Sequence, residues 1–195
     1  MKMQANDTAT TTEFRRRFLK TSGLFALGTV AATSLALPGR ALAMKGSQSE
    51  ADDIAILNVA LGLEHQAIAA YQVGAESGLL SKSVMVTAVS FQSHHKAHAD
   101  VLAGTIAQLG GAPVAAKSAS DYGFPVGDLK SQADVLRFAA GLEKGAAEAY
   151  LGAVPQFTNR DLARAAASIL GDEAMHWSVL LGALGENPVP VAFIG

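Results

Sequence analysis

The sequence contains no cysteine among its 195 residues. Without thiols the chain can form no disulfide, no zinc–thiolate finger and no iron–sulfur cluster, and it has no cysteine nucleophile. Aromatic residues make up only 6% of the chain, whereas hydrophobic residues make up 50% and include many alanines and leucines. This composition favours helices over a β-sandwich and supplies one substantial core. The nucleophile-elbow, phosphate-loop and dinucleotide motifs are also lacking, so the sequence gives no support to a hydrolase or a nucleotide enzyme.

The first 43 residues have the pattern of an export signal. Arg15–Lys20 reads R-R-R-F-L-K, which resembles the twin-arginine consensus, and an apolar run from Gly23 to Leu37 follows it. Ala41–Ala43 is a small-x-small cleavage pattern. Because the apolar run is shorter than the ~20 residues of a spanning helix, we expect processing after Ala43, with retention as an uncleaved anchor as the alternative. The predicted location is periplasmic or otherwise extracytoplasmic, and the twin-arginine export machinery is an expected partner.

Removal of residues 1–43 changes the charge balance. The segment takes away six cations and two anions and leaves nine cations and fifteen anions, a net charge of −6. A mildly acidic domain without a basic stripe is a poor ligand for nucleic acid or an anionic membrane. We therefore expect no nucleic-acid partner.

Two stretches of the chain repeat one pattern, L-E-x-x-A-x-x-A-Y, at Leu63–Tyr71 and Leu142–Tyr150. A pair with i, i+3 spacing follows each stretch, His95-x-x-His98 after the first and Glu173-x-x-His176 after the second. Glu64 and His98 are 34 positions apart, and Glu143 and His176 are 33 apart. A repeated helix pair that carries Glu and then (Glu or His)-x-x-His is the arrangement that builds a metal site inside a four-helix bundle.

The periodicity and the capping residues predict an all-α domain of two helix hairpins joined by one long crossover. Residues 44–50 are expected to be a flexible leader, 51–184 the bundle and 185–195 a C-terminal tail. The crossover, 111–130, is long enough at about 66 Å to return along a helix of about 42 Å. The four helices are predicted to run from near Ser49 or Asp52 to a short turn at Ser77 and Gly78, from about Lys82 to Leu109, from Ser131 to around Gly152, and from Asn159, as the cap, to a stop at Gly185.

Each predicted inner face places acidic and imidazole side chains among apolar ones. A buried carboxylate is costly unless it is paired or bound to a cation, and side chains at i and i+3 can reach one ion. The alternative without a metal is a buried ion-pair network in which the core histidines only make hydrogen bonds. His94 competes with His95, because residues 94 and 98 are also one turn apart. The candidate metal ligands are Glu64, His95, His98, Glu143, Glu173 and His176.

With these motifs the chain resembles the ferritin-like superfamily of di-metal carboxylate four-helix bundles, over residues 51–184. It is most similar to the exported branch that includes desiccation-related proteins, and Asp172–His176 is the most specific piece of the match. The resemblance implies that Glu64 and Glu143 are terminal ligands and that Glu173 bridges two metals. It also implies that His98 and His176 each bind one metal.

His95 stands where the family usually has Glu. Two divalent ions carry four positive charges, and three carboxylates leave one of them uncompensated, which weakens a ferroxidase or oxygen-activating role. Iron, manganese or zinc are the expected metals, in a mononuclear or dinuclear site with redox or ferroxidase-type chemistry. The alternative is a non-catalytic stress or desiccation-related bundle with a structural metal or none. A homodimer is left open.

Three further residues carry expectations of their own. Tyr71 and Tyr150 lie two turns beyond their glutamates, about 10 Å along the axis, and are expected to pack in the core or donate hydrogen bonds rather than act in redox chemistry. Asp172 is expected to be surface charge, with the orientation of a neighbouring imidazole as its alternative.

Overall fold

The structure is a computed structural model that describes residues 39–195, with side chains from residue 49. Four long helices occupy most of this range: α1 at Gly39–Glu76, α2 at Lys82–Gln108, α3 at Gln132–Ala153 and α4 at Arg160–Ala183. The twin-arginine motif and the apolar run lie outside the described residues, so the export signal and its processing stay predictions.

Helix α1 begins at Gly39, about ten residues before the predicted start near Ser49 or Asp52. Its first turns therefore include the segment 44–50, for which the sequence predicts a flexible leader. The run Ala41–Met44 has strong helix formers and no proline. No local signal therefore interrupts the helix between Gly39 and the predicted start. Gly46 costs such a helix only about 1 kcal/mol relative to alanine.

Short links form the two predicted hairpins, and capping side chains mark where the helices begin. The α1–α2 link contains Gly78 at φ 71°, a left-handed conformation that favours glycine. The Ser131 side chain caps α3 by accepting a hydrogen bond from the Asp134 amide. Asn159 likewise caps α4, since its side chain accepts from the amides of Asp161 and Leu162. The predicted boundaries of α2, α3 and α4 are confirmed to within a few residues.

A buried carboxylate that the sequence analysis missed fastens the α3–α4 link to α1. Asp53 is 3% exposed and accepts hydrogen bonds from the amides of Thr158, at 2.8 Å, and Asn159, at 3.0 Å. These two amides precede the first turn of α4. Asp53 therefore fixes the start of the fourth helix against the first.

The crossover from α2 to α3 runs back beside α1, as predicted. Asn58 on α1 donates to the carbonyl of Ala112 and accepts from the amide of Val114, at 3.2 and 2.7 Å. His65, two turns further along α1, lies 3.2 Å from the carbonyl of Val114. Two short 3₁₀ turns, Ala119–Tyr122 and Val126–Asp128, complete the connection.

Two hydrophobic clusters lie along the bundle with a polar layer between them. The first contains Leu61, Ile106 and Leu162, and the second contains Leu136 and Trp177. Ile194 of the C-terminal tail packs against the second cluster. The segment Ser49–Glu76 is long and apolar enough to cross a membrane, but a core helix of a bundle has the same properties, and its buried face packs on α2 and α3.

Candidate metal centre

All six sequence-predicted ligands meet in the polar layer, and each helix contributes at least one of them. Five have side chains no more than 2% exposed, and only His98, at 16%, reaches toward the surface. The i, i+3 pairs of α2 and α4 face the glutamates of α1 and α3, as the helical periodicity requires. The six residues are Glu64, His95, His98, Glu143, Glu173 and His176.

The first half of the centre is built around Glu64. Its Oε2 lies 2.9 Å from His95 Nδ1 and 3.5 Å from His98 Nδ1. His98 Nδ1 in turn lies 3.3 Å from Glu173 Oε1. One atom from each of these four residues falls within 4.8 Å of the others, so the group could hold a metal ion.

The second half is built around Glu143 and has the same composition. Glu143 Oε1 lies 3.2 Å from His95 Nε2 and 3.4 Å from His176 Nδ1. Glu173 presents its other oxygen, Oε2, 3.9 Å from His176 Nδ1. Glu143, Glu173, His95 and His176 form a second group that could hold an ion. The two halves share Glu173 and His95.

Of the two adjacent histidines, His94 and His95, it is His95 whose side chain lies in the centre. Both of its ring nitrogens face buried glutamates, and its side chain is 1% exposed. His94 has a side chain that is 37% exposed and lies outside the six. The helical stripe predicts the same position for the His95 side chain, and its role as a ligand stays a prediction.

The two tyrosines of the repeat donate hydrogen bonds crosswise between the hairpins. Tyr150 of α3 donates to Glu64 Oε1 of α1, at 2.6 Å. Tyr71 of α1 donates to Glu143 Oε1 of α3. The expectation of hydrogen-bonding tyrosines is confirmed, although each tyrosine serves the glutamate of the other repeat rather than its own.

Asp172 is more than surface charge, so that expectation is wrong. Its Oδ2 lies 3.3 Å from His98 Nε2, 3.4 Å from His176 Nε2 and 3.3 Å from His94 Nδ1. A carboxylate on the far nitrogen of an imidazole fixes the ring and the tautomer that a metal would meet. The signal was in the sequence, because Asp172 and His176 are one turn apart on α4. Asp172 also supplies a fourth carboxylate near the centre.

The buried carboxyl and imidazole groups shift one another's pKa values, and the direction of the shift differs between groups. Burial raises the pKa of Glu64, but its hydrogen bonds with His95 and His98 outweigh this effect and lower that pKa to about 2. Burial lowers the pKa of His95, but Glu143 and Glu64 together raise it to about 10. Burial, with Glu143 beside it, raises the pKa of Glu173 to about 8, against the lowering effect of His98. Glu173 is therefore the carboxyl that most resists ionisation.

Four buried atoms in this layer have no hydrogen-bond partner in the structure: both carboxylate oxygens of Glu173, His98 Nδ1 and His176 Nδ1. Leaving such atoms unsatisfied costs about 1–3 kcal/mol each. They are carboxylate and imidazole donors that face one another, which is the donor set of iron, manganese and zinc sites. The residues therefore fit a resident metal.

The comparisons with known proteins agree with this geometry. A family model described as a ferritin-like domain matches residues 52–186. The chain belongs to the ferritin-like family. A crystal structure of a conserved hypothetical protein, rv2844, from Mycobacterium tuberculosis is 24% identical, with a TM-score of 0.63, and the match covers 74% of this chain and 99% of that one. At this identity it supports the fold alone. No curated protein matches the chain.

Proposed function

We propose that this ferritin-like chain is an exported metal-binding protein whose buried centre holds iron, manganese or zinc. The ligands in this proposal are the six side chains of the polar layer. The single observation that carries it is the set of four buried ligand atoms around Glu173 that face one another without a hydrogen bond. A polar core without a metal would be expected to pair such atoms, since buried polar groups are almost always hydrogen-bonded.

Elemental analysis of protein purified without added metal tests this proposal. We expect a stoichiometric first-row metal in the wild type and a strongly reduced content in Glu173→Gln, which keeps the size of the side chain and removes its charge. Glu148→Gln is the matched control, because Glu148 lies on the exposed side of α3, paired with Lys144. Equal metal content in all three proteins would reject the buried centre.

We further propose that this centre supports redox chemistry of the ferroxidase type. Two four-residue groups that share Glu173 suit a dinuclear site, and Asp172 adds a carboxylate that the six-residue set lacks. Metal-free protein should then consume oxygen when Fe(II) is added, and Glu173→Gln should not. Oxygen consumption is measured with an electrode, and the ferric product is followed by its absorbance.

The alternative is a non-catalytic stress or desiccation-related bundle. Its support is His95, whose two nitrogens already pair with Glu64 and Glu143 where the family usually has a glutamate. This alternative predicts no oxygen consumption. Thermal unfolding distinguishes a bundle with a structural metal from one with none. A structural metal at 100 times its Kd stabilises the fold by about 2.7 kcal/mol. A metal-free bundle melts at the same temperature before and after chelator treatment.

Export is tested separately from metal binding. Replacement of Arg15 and Arg16 by lysine should keep the protein inside the cytoplasm, because the twin-arginine pair is what the export machinery reads. Lys45→Arg, beyond the predicted cleavage site, is the control. Cell fractionation followed by mass determination of the exported form reports both the location and any processing after Ala43. Export of the double variant at the wild-type level would refute the signal.

A further inference from the structure

A second cluster of metal-binding groups lies just outside the buried centre, between α2 and α4. It consists of His94, Asp172 and the Nε2 edge of His176, which we call the outer cluster. His94 Nδ1 is 2.9 Å from His176 Nε2, and Asp172 Oδ2 is 3.3 and 3.4 Å from these two nitrogens. One donor atom from each residue falls within 4.8 Å of the others.

The outer cluster is more exposed to solvent than the buried centre. The side chains of His94 and Asp172 are 37% and 22% exposed, whereas Glu64, Glu143 and Glu173 are at most 2% exposed. Exposure therefore falls stepwise from His94 through Asp172 and His98 to the glutamates. A cation that enters along this line meets the outer cluster first.

His176 belongs to both groups through opposite edges of one ring. Its Nε2 faces the outer cluster, and its Nδ1 faces Glu143 and Glu173. A neutral imidazole has one lone pair for a metal, because its other nitrogen carries the proton. His176 therefore binds one cation at a time. When it binds an inner cation through Nδ1, the outer cluster retains His94 and Asp172, and a second cation there is bound more weakly.

We infer that His94, Asp172 and His176 form a second, solvent-reachable site for a divalent transition metal, through which cations reach the buried centre. The first part of this inference stands on the outer cluster alone, and the second part rests on the proposed function. Two imidazole nitrogens and one carboxylate oxygen suit zinc, copper, iron or nickel and disfavour magnesium or calcium. Because the cluster is partly exposed, water completes the coordination, and binding there is weaker than at the centre.

The test uses zinc as the probe on chelator-treated full-length protein, with His94→Gln and the matched control His65→Gln. His65 is the one histidine outside both groups and contacts only the crossover carbonyl of Val114 in the described hydrogen bonds. Competition with a chromophoric chelator counts the equivalents and their affinities, and stopped-flow mixing gives the uptake rate. Circular dichroism and thermal melting establish that each variant is folded.

We expect His94→Gln to lose the weaker equivalent, to keep the tight one and to take up zinc about tenfold more slowly, which is the lower end of the effect of local cation concentration on on-rates. His65→Gln should match the wild type. Unchanged equivalents and uptake in His94→Gln would overturn the inference, as would a weakened tight equivalent at an unchanged rate, which would make His94 only a positioning residue for His176. The protein could instead bind a His94-dependent equivalent of zinc without a tight, Glu173-dependent one. This result would contradict the proposed function and would still support the outer site.

Discussion

The His95 ring lies between the two repeat glutamates, with Nδ1 2.9 Å from Glu64 Oε2 and Nε2 3.2 Å from Glu143 Oε1. It occupies the place where the family that the chain resembles usually has glutamate. An imidazole at this place can donate to both glutamates when it is protonated, and its raised pKa means that this charged form persists at neutral pH in the metal-free protein. His95 thus balances charge that a metal would otherwise balance.

Replacing His95 with glutamate should favour a dinuclear, iron-oxidising site. The variant supplies a fourth carboxylate within the centre, so that two divalent ions are fully compensated. An additional charge interaction at about 4 Å is worth roughly 4 kcal/mol at an effective dielectric constant of 20, so we expect the second metal to bind more than about tenfold tighter. Metal titration and Fe(II)-dependent oxygen consumption check this, with His65→Glu as the control. An unchanged second affinity would show that the charge at residue 95 does not set the nuclearity.

Removing the hydroxyl of Tyr150 should destabilise the metal-free protein. Tyr150→Phe leaves Glu64 Oε1 without its tyrosine donor inside the core, which costs about 1–3 kcal/mol. Chemical denaturation of chelator-treated protein measures the change. Tyr122→Phe, at the surface of the crossover, should stay within about 0.5 kcal/mol of the wild type. Equal losses in the two variants would contradict a role for the buried hydrogen bond.

Metal affinity should rise with pH between about 6 and 8. The pKa of Glu173 is raised to about 8 by burial and by Glu143, and that of His95 is raised to about 10 by Glu143 and Glu64, so both hold protons at neutral pH without metal. Ligation requires these groups without their protons, and binding therefore releases them. Each released proton steepens the affinity by about tenfold per pH unit.

Zinc competition at several pH values measures this slope. Glu173→Gln has no carboxyl proton to release at this position, so its remaining binding should show a shallower slope. A pH-independent affinity in the wild type would contradict the protonation states inferred for the metal-free centre.

Asp53→Ala should lower the free energy of unfolding by about 2–3 kcal/mol, because the amides of Thr158 and Asn159 lose a charged acceptor. Asp53→Asn keeps one acceptor oxygen and should lose less. Asp128→Ala, in an exposed turn, is expected to change stability by no more than about 0.5 kcal/mol. Urea denaturation compares the three variants, and metal content should stay at the wild-type value because Asp53 is not among the candidate ligands.

Local patterns in the sequence predict most of the helix boundaries and most of the residues that lie in the polar layer. Ser131 and Asn159 act over one helical turn, and the stripes that contain Glu143 and Glu173 repeat at helical spacing, so neighbouring residues determine both. The partner of each tyrosine depends on which helices face each other, and spacing along one helix cannot show this. For the same reason spacing along α4 does not show the contacts of Asp172 with His94 and His98, which cross from α4 to α2.

The crosswise tyrosine bonds have a consequence for how such a chain could arise by duplication. A half-length ancestor with a single hairpin would carry a glutamate whose hydroxyl donor belongs to another hairpin. Two copies would have to associate before either glutamate gained its tyrosine donor, so the ancestral centre would be complete only in a homodimer. Fusion of the two copies through the crossover would then preserve an old intersubunit contact inside one polypeptide.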